Sequence, residues 1–426
     1  MIFIFRIIIL LFCCCFLCGC SVYADENLLV YKQDQEDYCV SNIEYIENTI
    51  DSAEMRGMWV SQFDMHPIYR DGNKQRDITD YRKKVNTLLN NLADDRFNTV
   101  FLQLRPNGDS ICESKYYPAS KYVAGIYGGE IEYDPVPIFL ELAKEKGISV
   151  HAWINPYRLC SEEELINYGK GQIYNWYKEG IGKRIELGLD GILYLDPAYP
   201  EATDLIASGA EEILLNYDFE GIHIDDYFYP TEFEFDDEFE FLKSGADDKG
   251  DFRRNNINRT ILALYNTAHK NGKLFGISPA GNLYSLKDGW YADVELWCSK
   301  KGYIDYIMPQ LYFGFENQTC PFEKVFKDWC NTVTEKSVKL YIGLSAAKCV
   351  LGSEGILDKH AGESGKYEWR DNKDILAKSL AIIKNTKTSK GFCIFTYSSF
   401  YNPLSGAENP LCQEEKSAFC QIIKGS

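Results

Sequence analysis

The chain carries one stretch whose residue types and spacing suit acid–base chemistry: Glu220-Gly221-Ile222-His223-Ile224-Asp225-Asp226-Tyr227, an apolar run ending in two adjacent carboxylates. Successive strand residues point to opposite faces. One carboxylate can therefore face a cleft while its neighbour meets an Arg or a helix end. A shared, partly desolvated site raises the pKa of one carboxyl of such a pair, as a general acid requires. The plainer reading is that Asp226 opens a loop and caps backbone amides. His223 lies inside the run and reads as a hydrogen-bonded core histidine, not as a base or a metal ligand.

Other apolar runs also end in polar groups. Leu102-Gln103-Leu104-Arg105-Pro106-Asn107-Gly108-Asp109 offers Arg105, which either grips a carboxylate or an acidic sugar substituent or forms a structural pair with Asp109. His151-Ala152-Trp153-Ile154-Asn155-Pro156-Tyr157-Arg158 offers Asn155 for a sugar hydroxyl or amide, Arg158, and Trp153 as core or platform. Asp64, Gln310, Tyr312 and Tyr397 stand at the ends of further runs. Carboxylate, amide, guanidinium and phenol groups suit sugar hydroxyls, and a glycosidic bond needs a proton donor with a second carboxylate opposite. Glu295 reads as a solvated helix charge. The run at 232–240 (EFEFDDEFE) reads as a solvated lid, since the spaced loop of a calcium site is missing.

What must position these residues is an alternation of short β-rich runs and helical patterns. Strands are predicted at 55–63, 99–105, 149–155, 221–225, 273–279, 305–312, 340–344 and 391–397. Helices are predicted at 78–92, 136–146, 201–216, 253–270, 293–301, 322–334, 374–385 and 414–423. Eight strands each followed by a helix, with no G-x-G-x-x-G turn after any strand, predict an α/β fold of the (β/α)₈ barrel type. The long connections 106–135, 156–200 and 227–252 all follow strand carboxyl ends, the face where such barrels place active sites. Their Tyr residues, including Tyr116, Tyr117, Tyr122 and Tyr127, are candidate stacking platforms for sugar rings.

Composition narrows the partners. The formal charge of −18 argues against a nucleic-acid phosphate surface. Five scattered His, with no H-E-x-x-H motif and no C-x-x-C zinc pair, call for no metal and no other cofactor. Residues 1–20 (MIFIFRIIILLFCCCFLCGC) read as an export leader. Leu17-Cys18-Gly19-Cys20 resembles a bacterial lipobox, with Cys20 as the lipidated start of a membrane-anchored protein at the cell surface. Cleavage after Ala24, releasing the protein, and an uncleaved anchor, since the run is near the minimum length for a membrane span, are the alternatives. Residues 21–52 read as a tether and 53–426 as one barrel domain, expected to be a monomer. Of the 15 Cys, five lie in the leader, and no disulfide framework is legible in the rest; Cys393 reads as a small core residue.

Taken together, seven ordered stretches resemble the bacterial glycosyl hydrolase-like 10 family. They are Glu54-Met55-Arg56-Gly57-Met58-Trp59-Val60, the runs quoted above that end at Asp109 and Arg158, Leu195-Asp196-Pro197, the run from Gly221 to Pro230, Phe275-Gly276-Ile277-Ser278-Pro279, and Tyr303-Ile304-Asp305-Tyr306-Ile307-Met308-Pro309-Gln310-Leu311-Tyr312. The resemblance implies a TIM barrel and a glycosidase, with cell-wall glycan, in particular peptidoglycan strands stripped of peptides, as a substrate class. It carries over Asp225 and Asp226 as catalytic candidates. Arg105, Asp109, Trp153, Asn155, Arg158, Tyr227, Gln310, Tyr312 and Tyr397 are the candidate substrate-binding residues. A more distant likeness to family 18 chitinases breaks down at Tyr227, which stands where their catalytic glutamate belongs. The competing class is a surface barrel that binds carbohydrate without cleaving it. A sugar deacetylase is disfavoured by the scattered His.

Overall fold

The computed structural model describes residues 54–226, 228–230 and 237–425. Eight parallel strands close into a barrel: β1 (Met55–Val60), β2 (Thr99–Arg105), β3 (Ser149–Ile154), β4 (Gly221–Ile224), β5 (Leu274–Ile277), β6 (Tyr306–Ile307), β7 (Lys339–Ser345) and β8 (Ser389–Phe395). Each strand pairs with its sequence neighbours, and β8 returns to β1 through Met55 opposite Gly391. The expected (β/α)₈ TIM barrel is the observed fold.

Strand alternation builds two apolar layers. Leu102, Ile222, Ile224, Phe275, Ile277, Phe392 and Ile394 point outward and pack beneath the helices. Trp59, Phe101, Trp153, Tyr306, Met308, Tyr341 and Cys393 point inward and fill the barrel. The helices present one apolar stripe each. Ile78–Asp94, for example, buries Tyr81, Val85, Leu88, Leu89 and Leu92 at three- and four-residue spacing, and Asp77 caps its start. Gly276 on β5 is required by packing: a Cβ there would lie 2.2 Å from the Tyr306 ring.

The barrel interior also holds a polar thread. The Trp59 indole donates to His223 Nε2 at 3.2 Å, His223 Nδ1 lies 3.2 Å from the Tyr306 hydroxyl, and that hydroxyl lies 3.2 Å from His151 Nδ1. An indole can only donate. His223 therefore carries its proton on Nδ1 and gives it to Tyr306, which in turn donates to His151. Burial keeps both rings neutral, pushing His151 down to about 3 and His223 well below its ordinary value. His223 is thus the satisfied core histidine expected from its place in the strand.

The first and eighth strands end earlier than expected. The first strand stops at Val60 because Ser61 caps a helix, Gln62–Tyr69, with Asp64 completing a capping box. Asp64 is consequently buried, and its carboxylate accepts from the Ser398 N–H at 2.8 Å and the Thr396 hydroxyl at 3.1 Å. The eighth strand stops at Phe395 because Thr396 caps the helix Tyr397–Phe400. The connection after β3 is not an open loop. It holds the helices Glu162–Tyr168 and Gly171–Glu179 and an antiparallel sheet ordered Arg158–Ser161, Ile192–Leu195, Ile185–Leu187. The leader with Cys20, the tether, Tyr227 and residues 231–236 lie outside the described residues.

Candidate active site

At the carboxyl end of the barrel a cavity of about 340 Å³ opens, lined among others by Trp59, Gln103, Trp153, Asn155, Arg158, Asp225, Asp226, Gln310, Tyr312 and Phe395. Seven of the predicted substrate-contacting or catalytic positions therefore line one cavity: Asp225, Asp226, Trp153, Asn155, Arg158, Gln310 and Tyr312.

Asp225 follows β4 in the same inward phase as His223 and is 5% exposed. Its Oδ2 accepts two N–H groups, from Asn155 Nδ2 at 2.7 Å and from the Trp153 indole at 3.2 Å. Its Oδ1 is buried and meets no hydrogen-bond partner among the described residues. Burial, and then the charge of Asp226 beside it, hold this carboxyl well above the usual carboxylate range, against the pull of Asn155 and Trp153. With Oδ2 accepting two N–H groups, Oδ1 is the oxygen open to a proton. Asp226 is half-buried and lines the same cavity.

A chain of side chains fixes this carboxyl. The Gln62 N–H donates to Gln103 Oε1 at 3.0 Å, Gln103 Nε2 donates to Asn155 Oδ1 at 2.7 Å, and Asn155 Nδ2 donates to Asp225. Both ends of the Asn155 amide are engaged, so this residue positions Asp225, and it also lines the cavity where it was expected to meet a sugar hydroxyl. Trp153 is 5% exposed, donates to the same carboxylate and forms part of the cavity wall. Gln310 donates to the Ser278 carbonyl at 3.1 Å, and Tyr312 stacks on Phe395 with ring centroids 5.9 Å apart.

Three predicted binding residues lie elsewhere. Arg105 is 3% exposed and sits outside the barrel, with its guanidinium 4.3 Å from the Tyr117 ring centre and 3.5 Å from Glu212. The register between β2 and β3 shifts after Gln103, and Arg105 pairs with the outward-facing Ile154. This irregularity reverses the alternation that would have turned Arg105 inward. Its partner is Glu212, not Asp109. Asp109 is buried in the following loop, accepts the Asn107 N–H at 2.9 Å and is pushed up to about 6 by burial. Tyr397 is fully buried, and its hydroxyl accepts from Asn91 on the outer helix layer at 3.1 Å. The loop tyrosines Tyr117 and Tyr127 are likewise core residues.

Sequence reasoning missed Phe63, Lys121 and Glu164, which also line the cavity. Glu164 caps its own helix through Ser161 and pairs with Lys121 at 2.6 Å; the Ser161-x-x-Glu164 spacing was the signal for that cap. In the described part of the acidic run Glu238 and Phe239 are exposed, whereas Asp237 is not solvated. Asp237 is fully buried and held by Arg253 at 2.7 Å and Lys249 at 3.0 Å. Glu295 is exposed and pairs loosely with Lys287, as its helix position implies. Among the described residues no group of three or more His, Cys, Asp or Glu is placed to hold a metal ion.

Comparison with known proteins shows the family and the fold. The chain is 28% identical over 333 residues to glycosyl hydrolase YngK of Bacillus subtilis (strain 168), covering 72% of this chain and spanning 64% of that relative's length. It is 30% identical over 334 residues to glycosyl hydrolase DigH of Escherichia coli (strain K12), covering 70% of this chain and 74% of DigH. Its fold is similar to the PgaB (BpsB) glycoside hydrolase domain from Bordetella bronchiseptica, with a TM-score of 0.52 at 12% identity over 86% of this chain and 99% of that one. It is also similar to α-L-fucosidase isoenzyme 2 from Paenibacillus thiaminolyticus, with a TM-score of 0.54 at 13% identity over 87% of this chain and 49% of that one. Residues 54–354 match the family pattern described as glycosyl hydrolase-like 10, and the chain belongs to that family.

Proposed function

We propose that the chain hydrolyses glycosidic bonds of a polysaccharide, and that its substrate is bacterial cell-wall glycan, the sugar strand of peptidoglycan. One observation carries the chemistry: a buried carboxyl in the barrel mouth whose Oδ2 is saturated by two N–H donors and whose Oδ1 has no described partner. A carboxyl built only to bind hydroxyls gains nothing from being held above the usual carboxylate range. A proton donor for a leaving oxygen requires it.

In this reading Asp225 gives its Oδ1 proton to the glycosidic oxygen as the C–O bond breaks. Asp226, on the same cavity, is the second carboxylate facing the positive charge that develops on the sugar ring; water supplies the new bond to that carbon, and the proton it releases restores the acid. Asn155 and Trp153 then stabilise the Asp225 carboxylate left behind, since hydrogen bonds to a charged acceptor are the stronger ones. The leader-like composition of residues 1–20 supports a substrate outside the cytoplasm, and the likeness to the glycosyl hydrolases YngK and DigH supports the reaction class. Incubation of the purified protein with peptide-stripped peptidoglycan strands is expected to generate new reducing ends. Strands that keep their length and reducing-end count would refute the reading.

A further inference from the structure

Phe63 is 67% exposed, although it lines the cavity and belongs to a firmly held helix. Its exposed ring gives the polar cleft a large apolar face that a ligand can cover. Its neighbour Tyr122 also lines the cavity and meets it edge to face, with centroids 5.8 Å apart and planes at 85°. That geometry braces the Phe63 ring from the side. His66 packs on Tyr122 in the same edge-on way, at 5.7 Å, and its Nδ1 lies 3.2 Å from the Tyr122 carbonyl. The helix carrying Phe63 is fixed by the Ser61–Asp64 capping box, and Asp64 is tied in turn to Thr396 and Ser398 after β8.

The placement couples this ring to the chemistry. The residue before it, Gln62, supplies the N–H that starts the chain through Gln103 and Asn155 to Asp225. Phe63 follows β1 and Tyr122 follows β2, whereas Asp225 follows β4, so ring and carboxyl approach the mouth from different sides of the barrel. A pyranose has an apolar C–H face and a polar edge. It can lay the first on an aromatic ring while its linkage oxygen reaches across to a carboxyl.

We propose that Phe63, braced by Tyr122, is the stacking platform for a pyranose ring of the glycan chain, and so sets how firmly a polymer is held beside Asp225. The proposal rests on the glycosidase reading for the identity of the ligand. It replaces the buried loop tyrosines as the platform.

The test is binding of peptide-stripped peptidoglycan strands to the full chain carrying Asp225→Asn, with residue 63 as Phe, Ala or Trp. Phe63→Ala is expected to weaken binding about tenfold or more, the order set by losing the burial of a Phe side chain, with an unchanged melting temperature. Phe63→Trp is expected to restore binding. Equal binding by the Phe and Ala forms would overturn the platform and leave the hydrolase reading intact. Absence of binding by the Phe form would overturn it too, with the hydrolase reading then judged by turnover of the unaltered protein. If Asp225→Asn alone still digests the strands, the acid assignment fails while the platform stands on the Ala and Trp comparison.

Discussion

Replacing Asn155 by Leu separates positioning of the acid from mere support of the barrel. Asn155 Nδ2 donates to Asp225 Oδ2 at 2.7 Å and Asn155 Oδ1 accepts from Gln103 at 2.7 Å. The first bond favours the ionised form of Asp225, because a bond to a charged acceptor contributes about 1.5 to 3 kcal/mol against about 0.5 to 1.5 to a neutral one. The difference of about 1 to 1.5 kcal/mol corresponds to roughly one pKa unit. Asp225 already sits above the usual range, so losing the donor moves it further up. A general acid works only while protonated, and the alkaline limb of kcat/KM is therefore expected about one pH unit higher in Asn155→Leu. The second bond predicts a separate effect: Gln103 Nε2 loses its acceptor, which costs about 1 to 3 kcal/mol and lowers the melting temperature. The assay is the pH profile of reducing-end release beside thermal denaturation. A lower melting temperature with an unmoved or downward-shifted limb would refute the positioning role.

Other perturbations reach different parts of the account. Folding depresses His151 to about 3 from an ordinary value near 6.5, so its contribution to stability is full above about 6.5 and is lost as pH falls toward 3. His151→Gln is expected to flatten the acid side of the stability profile by up to about 1.4 kcal/mol per pH unit, and a slope equal to the parent's would contradict the neutral thread. Arg105→Met is expected to cost about 1 to 3 kcal/mol of stability by removing the cation beside Glu212, which keeps its Ser114 and Lys115 hydrogen bonds, with KM and kcat on glycan strands unchanged; a raised KM would return Arg105 to the binding site. Mass spectrometry of the membrane fraction is expected to find a mature chain starting at lipid-bearing Cys20, and a lipid-free start at Asp25 would exclude that anchor.

The barrel was legible because its signals are local and repeated: eight β-rich runs, each answered by a helical stripe. Asp225 was legible because it ends such a run in phase with His223, and no irregularity interrupts β4 before it. Arg105 was misplaced because one register shift after Gln103 reverses the facing of everything beyond it, and nothing in TVFLQLR announces that shift. Asp64 and Tyr397 were misplaced for a different reason. Ser61 and Thr396 cap helices that begin before the alternation reaches them. Asn155 was put in the mouth correctly, but its role depends on where the Gln103 amide and the Asp225 carboxylate arrive, which only the closed barrel decides. Phe63 carried no signal in the sequence, since a phenylalanine in an apolar run reads as core until its exposure is seen.

The central claim is that Asp225 is the proton donor, and Asp225→Asn measured on peptide-stripped glycan strands tests it most directly. The account predicts a loss of reducing-end release on the order of 10² to 10⁴, together with a fold that is no less stable. The sign of the stability change follows from the raised carboxyl. The parent keeps the full contribution of this group below the ordinary carboxylate value and loses it as pH rises through the higher folded value. The Asn variant, which never ionises there, should gain in melting temperature relative to the parent as pH increases. Near-parent turnover by a folded Asp225→Asn protein would contradict the claim.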